Sequence, residues 1–168
     1  TQLDAGGNQK IKPYCLCAAF EDRPTIEFFG KDCAMKFLNY LRYECGNEKN
    51  FLLVAHNLNF DYRHLLATNQ LRQVNEIMKD GKCIASRAKL YKSKDKVPIH
   101  LKFKCSYRII PEPLRKFGKM FNLKQEKDVM CYELYNKIYS ENPTLDKNLM
   151  IPIQEAFKYL TSKDRKKF

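Results

Sequence analysis

The segment His56-Asn57-Leu58-Asn59-Phe60-Asp61 begins where the apolar stretch of residues 51–55 ends. A carboxylate at the end of a buried strand can hold a metal ion. An amide one helical turn before the acid, with an aromatic ring beside it, can hold the end of a nucleic acid strand. Simpler explanations remain open, because Asn and Asp are frequent in turns and helix caps and Phe60 could belong to the core. His56 is most simply a strand-end histidine that is hydrogen-bonded to backbone.

The elements that would position this segment follow from the periodicity of the first half of the chain. Apolar, β-branched and aromatic runs predict strands at residues 13–20, 25–29 and 51–55. A helix is expected from a cap at Asp32 to Gly46-Asn47, with one face formed by Ala34, Phe37, Leu38 and Leu41. A further helix over residues 60–66 places Asp61 at a strand-to-helix junction, where open α/β sheets commonly carry their chemistry.

The second half of the chain predicts two more strands, at residues 74–91 and 97–107, joined by a lysine-rich turn at 91–96. Pro113 can open a helix whose inward residues would be Leu114, Phe117, Met120 and Phe121. Its outer face, with Arg115, Lys116 and Lys119, is a candidate phosphate-binding surface. A last helix could be capped by Thr161 or Ser162, and because the chain stops as this helix begins, we expect a truncation.

Composition limits the class of protein. The chain has 168 residues, 44% of them hydrophobic, which predicts a single globular domain over residues 1–168. The seven cysteines form no C-x-x-C pair, which favours reduced intracellular thiols. No apolar run is long enough for a membrane span and residues 1–11 do not resemble a signal peptide, so we expect a soluble, cytoplasmic protein without a membrane partner.

The charge of the chain points to polyanionic partners. The formal net charge is +12 and the pI is about 9.4, with lysines spread through the second half. A basic surface of this size favours nucleic acid. The alternative explanation is an AT-rich genome, which encodes chains that are rich in Lys, Asn, Ile, Tyr and Phe.

Three segments in order carry a family resemblance: HNLNFD at 56–61, SYRIIPEPLRKFGKMF at 106–121 and KDVMCY at 127–132. Together they resemble the 3′-to-5′ exonuclease domain of the protein-primed family B DNA polymerases of viruses and linear plasmids. Asn57, Phe60 and Asp61 match the family's second exonuclease motif. Ser106 stands where the family has a ligand of the primer end, and Lys127 matches the lysine of a later motif.

This resemblance implies an α/β fold of the ribonuclease H-like kind, a mixed sheet flanked by helices. It implies that Asp61 is catalytic as a metal ligand and that Asn57 and Phe60 hold the 3′-terminal nucleotides. Ser106 and Tyr107 would contact the strand, and Lys127 would stabilise charge at the scissile phosphate. The implied cofactor is Mg²⁺ or Mn²⁺ in an intact parent protein. The implied partners are single-stranded DNA and the parent's polymerase domain.

Departures from the family pattern limit what this chain should do alone. Residues 1–11 contain no Asp-x-Glu pair, the family's first motif, and Asp4 is a lone acid. The third motif, a Tyr followed by an Asp, would lie beyond the helix near Thr161. We therefore expect a domain incomplete at both ends, with no stably bound metal, because one aspartate cannot hold two cations. Cys105 replaces an acid common in relatives, and Tyr107 stands where Leu is commoner.

The expected function is to bind single-stranded 3′ ends for proofreading in the full-length parent, with this chain alone catalytically inactive. A different class of function stays open. The chain could be a stand-alone, exonuclease-dead remnant that binds nucleic acid. It could instead bind a protein, as an inhibitor or immunity factor does.

Overall fold

A computed structural model of the chain describes residues 2–3, 9–10, 13, 15–45, 48–92, 97–123, 134, 137–138 and 153–160. The strands are β1 (Gln2–Leu3), β2 (Gln9–Lys10), β3 (Cys15–Ala18), β4 (Ile26–Phe29), β5 (Asn50–Ala55), β6 (Leu71–Lys79), β7 (Lys82–Leu90) and β8 (Ile99–Cys105). The α-helices are α1 (Cys33–Tyr43), α2 (Asn59–Leu66), α3 (Phe117–Met120) and α4 (Ile153–Tyr159). Two short 3-10 segments, Ser106–Arg108 and Leu114–Lys116, follow β8.

The chain divides into two compact units, one formed by residues 1–33 and 126–168 and the other by residues 34–125. The single domain predicted over residues 1–168 stays a prediction. Across the described residues of both units, no helix has the length and apolar character needed to cross a membrane.

The structure describes two small antiparallel pairs of strands and the helix α4 in the first unit. β1 pairs with β2, and β3 pairs with β4 from Cys15 opposite Phe29 to Ala18 opposite Ile26. The predicted strands at 13–20 and 25–29 are therefore confirmed, with shorter ends. Ala156 of the helix α4 and Leu160, which follows this helix, are buried together with Leu134. Ile138, Phe157 and Tyr159 pack against this cluster.

The second unit is built on a mixed four-stranded sheet with the strand order β5-β8-β7-β6. β5 and β8 run parallel, from Asn50 opposite His100 to Ala55 opposite Cys105, and the other neighbours are antiparallel. In β8, buried and exposed residues alternate without exception. This period of two gives the sheet one apolar face and one face toward solvent.

Helices α1 and α2 supply the other buried residues of this unit. The predicted apolar face of α1 is confirmed, since Ala34, Phe37, Leu38 and Leu41 are all buried. On α2, the Tyr62 ring lies edge-on against Phe103 of β8 with 5.0 Å between centroids. The Tyr62 hydroxyl is hydrogen-bonded to the Ser86 hydroxyl of β7 at 2.7 Å. Helix α2 is therefore fixed to the buried face of the sheet by apolar contact and by a buried hydrogen bond.

The prediction of one strand over residues 74–91 is wrong, because this region forms the hairpin β6–β7. The two residues between the strands, Asp80 and Gly81, have φ values of +51° and +69°. Positive φ at both central residues is the geometry of a type I′ turn, for which Asp-Gly is a preferred sequence. Lys79 and Lys82 are paired directly across this turn.

The segment after Pro113 also differs from its prediction. It forms a 3-10 turn followed by the single-turn helix α3. Three residues expected to face inward, Leu114, Met120 and Phe121, are exposed, and only Phe117 is half-buried. The helix is too short to present a continuous apolar stripe to the core. The turn predicted at residues 91–96 and the cap at Thr161 or Ser162 involve residues outside the described part of the chain.

Candidate functional site

The carboxyl ends of the parallel strands β5 and β8 bring two predicted site segments together. Ala55 and Cys105 are the last paired residues, so His56 and Ser106 leave the sheet side by side. His56 Nδ1 lies 3.2 Å from Ser106 Oγ, within hydrogen-bonding distance. His56 and Ser106 are 50 residues apart in sequence. They lie together at the carboxyl ends of β5 and β8 because these strands are parallel neighbours.

His56 has a more specific environment than the sequence indicated. It bonds to the Ser106 side chain rather than to backbone. The rings of Tyr107 and Phe117 lie edge-on to its imidazole, with centroids at 5.3 and 5.1 Å. His56 Nε2 is buried and has no hydrogen-bond partner among the described residues. The imidazole therefore fixes the position of Ser106 and of the Tyr107 ring.

Asn57 occupies the turn between β5 and α2. Its φ is +64°, a left-handed conformation that Asn tolerates better than most residues with a side chain. The Asn57 carbonyl accepts a hydrogen bond from the Phe60 backbone N–H at 3.2 Å. Asp61 lies in the first turn of α2 and is not its cap, because the capping position is Leu58. The predicted strand-to-helix junction is confirmed.

The turn of the β6–β7 hairpin lies at the same edge of the sheet. β7 runs antiparallel to β8, so the start of β7 is beside the end of β8. Asn59 in the first turn of α2 accepts a hydrogen bond through Oδ1 from the Cys83 backbone N–H at 3.2 Å. This bond ties the helix start to the hairpin.

Together these three segments enclose a cleft of about 180 Å³. It is lined by two amides, two cations, a carboxylate, a phenol ring and two thiols: Asn57, Asn59, Lys82, Arg108, Asp80, Tyr107, Cys83 and Cys105. Amides and cations offer hydrogen-bond donors for phosphate and sugar oxygens, and an aromatic face can stack on a base. Tyr107 is 40% exposed, so its ring is accessible to a ligand.

Phe60 and Asp61 lie on α2, beside the cleft but outside its lining. The Phe60 ring is 49% exposed and lies edge-on to His64, with 4.9 Å between centroids. Partial desolvation raises the pKa of the Asp61 carboxyl above its ordinary value, although its side chain is exposed; His64 opposes this shift. Burial lowers the pKa of His64, and the charge of Asp61 opposes that shift.

The structure places the predicted site residues unequally. Asn57 and Tyr107 line the cleft, and Ser106 adjoins it through His56. Lys127 lies outside the described residues. Sequence reasoning assigned His56 a backbone partner instead of Ser106, and it missed Asn59, Asp80, Lys82 and Arg108. The Asp80-Gly81 pair was the available signal for the hairpin that supplies two of them.

A metal centre is not assembled from the described residues. Among them, no group of three or more His, Cys, Asp and Glu side chains is arranged to hold a metal ion. Partial desolvation raises the pKa of Asp61, and a neighbouring cation would favour its charged form. A single carboxylate does not meet the requirement of a two-metal site.

Two solved structures of a DNA polymerase are similar to this chain. A solved structure titled "Phi29 DNA polymerase complexed with single-stranded DNA" is similar over 81% of this chain and 23% of that chain, with 21% identity and a TM-score of 0.51. A second structure, of "Phi29 DNA polymerase complexed with primer-template DNA and incoming nucleotide substrates", matches over 84% of this chain and 22% of that chain, with 18% identity and a TM-score of 0.46. The chain thus spans less than a quarter of the polymerases it matches. No curated protein matches it significantly.

The likeness to the first of these structures and the mixed four-stranded sheet with its helices confirm the predicted α/β fold class. It also agrees with the resemblance to protein-primed polymerases. The family profile described as DNA polymerase type B, organellar and viral, matches residues 43–167. That match covers most of the sequence, including the residues around the cleft. The chain therefore belongs to the organellar and viral family of type B DNA polymerases.

Proposed function

We propose that the chain binds single-stranded 3′ ends, as part of the proofreading exonuclease region of a protein-primed family B DNA polymerase. The observation that carries the proposal is the cleft at the carboxyl ends of β5 and β8. There, the motif around Asn57 and the segment at Ser106 meet, as a shared ligand for both would require. The structure with the higher TM-score is of a polymerase complexed with single-stranded DNA, which supports a ligand of this class.

Each group in the cleft has a role that suits an extended strand. Lys82 and Arg108 can neutralise phosphates. Asn57 and Asn59 can accept from and donate to sugar and base edges, although the Asn59 oxygen already accepts from Cys83. The exposed rings of Tyr107 and Phe60 can stack on successive bases. Stacking tolerates any base, as proofreading of arbitrary sequence requires.

His56 acts in this proposal as a positioning residue. It holds Ser106 by a hydrogen bond and Tyr107 by ring contact, without lining the cleft itself. Replacing it should therefore weaken strand binding through a displaced Tyr107. His56→Gln keeps a hydrogen-bonding group but loses the ring, so it separates the two contacts from each other.

In this proposal, the full-length parent protein cleaves the DNA strand. Mg²⁺ or Mn²⁺ would there be held by Asp61 together with other carboxylates and would stabilise charge at the scissile phosphate. Lys127 would supply a positive charge at the same phosphate, as the resemblance implies. This chain alone would bind the strand without cutting it. The polymerase domain of the parent is the partner that would deliver the mispaired end.

The experiment is a titration of this chain with a 3′-labelled single strand in Mn²⁺, following binding by anisotropy and cleavage on a gel. We expect binding without cleavage. Phe60→Ala should weaken binding by about 1–3 kcal/mol, the value of one base stack. Phe121→Ala is the matched control, since both rings are 49% exposed but only Phe60 lies in the first turn of α2, beside the cleft.

Three results would contradict the proposal. Equal losses in the two phenylalanine variants would show that binding does not depend on the cleft region. Cleavage by the unmodified chain would disprove its inactivity. Equal affinity for strands with a free and a blocked 3′ end would remove the specificity for ends, leaving a general nucleic-acid-binding or protein-binding module.

A further inference from the structure

The solvent face of the four-stranded sheet carries a dense group of cations, which we call the basic face: Arg72, Arg87, Lys89, Lys102 and Lys104, with His100 beside them. Strand pairing fixes their positions in three rows across the sheet. One row is Asn50-His100-Lys89-Arg72, the next is Leu52-Lys102-Arg87-Asn75, and the third is Val54-Lys104-Ala85-Ile77. Paired residues point to the same side of a sheet, so these side chains share one surface.

The three rows contain twelve residues, and none of these is Asp or Glu. None of its cations forms an ion pair with a described residue, since the ion pairs of the described chain are elsewhere. Lys102 lies directly opposite Arg87, and like charges in that position destabilise a sheet. An anionic partner would remove this repulsion.

The chemistry of the face favours phosphate over base contacts. Apart from the imidazole of His100, no ring occupies the three rows, and their exposed apolar side chains are the aliphatic Leu52, Val54 and Ile77. Proteins that hold single strands without sequence preference combine cations with aromatic stacking platforms. A face of cations without such a platform instead matches a partner whose charge is dense and regular.

A nucleic acid duplex is such a partner, because it presents about one negative charge per 1.7 Å of its axis. Neighbouring strands are about 4.8 Å apart and residues two apart along a strand are separated by about 6.7 Å. The basic face therefore extends about 10 Å by 13 Å, which is close to the roughly 12 Å width of a major groove. It can contact several phosphates at once.

We propose that the basic face is a second nucleic-acid surface, which holds the phosphate backbone of duplex DNA without reading its sequence. It differs from the cleft in position and in chemistry. The cleft lies at the carboxyl ends of β5 and β8 and offers a ring and amides to the end of a DNA strand. The basic face lies on the solvent-exposed face of the sheet. Both surfaces can be occupied by one DNA molecule that has a duplex and a frayed 3′ end.

The test compares Lys102→Gln/Lys104→Gln with Lys31→Gln/Lys158→Gln, which removes the same charge from exposed lysines elsewhere. The probe is a blunt 20-base-pair duplex, with affinity measured over a range of salt concentrations. Removing two phosphate contacts should reduce the slope of log K against log salt by about 1.8, which is about 0.9 per contact. The control pair should leave the slope unchanged. Thermal unfolding of each variant shows that it is folded.

Two results would overturn the assignment. If both double variants changed the slope of log K against log salt equally, the effect would come from net charge and not from the position of Lys102 and Lys104. Tighter binding of the unmodified chain to polyglutamate than to the duplex, with the same dependence on Lys102 and Lys104, would assign the face to an acidic protein. The Tyr107→Ala variant keeps this test separate from the proposed function. If duplex binding depends on the basic face while Tyr107→Ala leaves 3′-end binding intact, the cleft proposal fails and this one stands.

Discussion

The two faces of one four-stranded sheet differ in what their side chains do, and a single strand shows the contrast. In β8, Ile99, Leu101, Phe103 and Cys105 are buried, whereas the residues between them are exposed. The exposed residues are His100, Lys102 and Lys104. The buried face packs on α2 through Tyr62, and the other face carries cations that form no ion pair with any residue in the described part of the chain.

This difference separates stability from binding along the same strand. Buried apolar side chains contribute the free energy of burial and tolerate little change. Exposed cations contribute almost nothing to stability, so they can be chosen for a ligand. Substitutions on the two faces should therefore have distinct signatures, and each test below examines this separation.

The largest effect is expected for Phe103→Ala. Phe103 is 1% exposed and packs on Tyr62, so the truncation leaves a cavity. The free energy of unfolding should fall by about 3–5 kcal/mol, measured by urea denaturation. Lys104→Ala, one residue away on the other face, should change it by no more than about 0.5 kcal/mol. Comparable losses in the two variants would break the distinction between the faces.

A smaller effect is expected for Tyr62→Phe, which leaves the buried Ser86 hydroxyl without its partner at 2.7 Å. An unsatisfied buried hydroxyl costs about 1–3 kcal/mol. Adding Ser86→Ala removes the orphaned group, so the double variant should regain much of the loss. The check is a double-mutant cycle of unfolding free energies. Additive losses would mean that the hydrogen bond does not stabilise the buried face.

The ionisation of Tyr62 should make the free energy of unfolding depend on pH in the alkaline range. Burial, aided by the nearby Glu76 carboxylate, raises the pKa of Tyr62 above its ordinary value of 10.0, and the Ser86 hydrogen bond opposes the shift. A raised folded pKa gives a contribution that is complete below pH 10 and is lost as the pH rises above it. The stability advantage of the native chain over Tyr62→Phe should therefore shrink above pH 10. A constant difference from pH 8 to 11 would show that Tyr62 ionises equally in both states.

The buried elements could be predicted from the sequence because the spacing of apolar residues along a helix or strand follows the face that is buried. All four residues assigned to the inner face of α1 are buried, and the strand at 51–55 was placed within one residue. Where periodicity was interrupted, prediction failed. The apolar pattern predicts one strand over residues 74–91 although Asp80-Gly81 divides it, and the segment after Pro113 is too short to bury its apolar residues.

The cleft was only partly accessible to sequence reasoning. Asn57 and Tyr107 were identified from motifs, whereas His56, Lys82 and Arg108 line or support the cleft through pairings that are distant in sequence. Lys82 is one of many lysines in the chain, and the adjacent Asp80-Gly81 pair indicates a turn before it but not that it lines a cleft. Its position depends on the antiparallel register of β7 with β8 and on a two-residue turn. Such long-range register is not encoded in local composition.

The smallest effect, and the one that tests the solvent face most directly, is expected for Lys102→Gln. Lys102 and Arg87 are opposite each other in adjacent strands, so removing one charge should relieve repulsion. The free energy of unfolding should rise by no more than about 0.5 kcal/mol at low salt. At about 1 M salt, where the screening length is about 3 Å, the gain should vanish. Lys102→Arg, which keeps the charge, should show neither change. A loss of stability in Lys102→Gln would mean that the lysine stem packs on the sheet, in which case the basic face contributes to the fold as well as to binding.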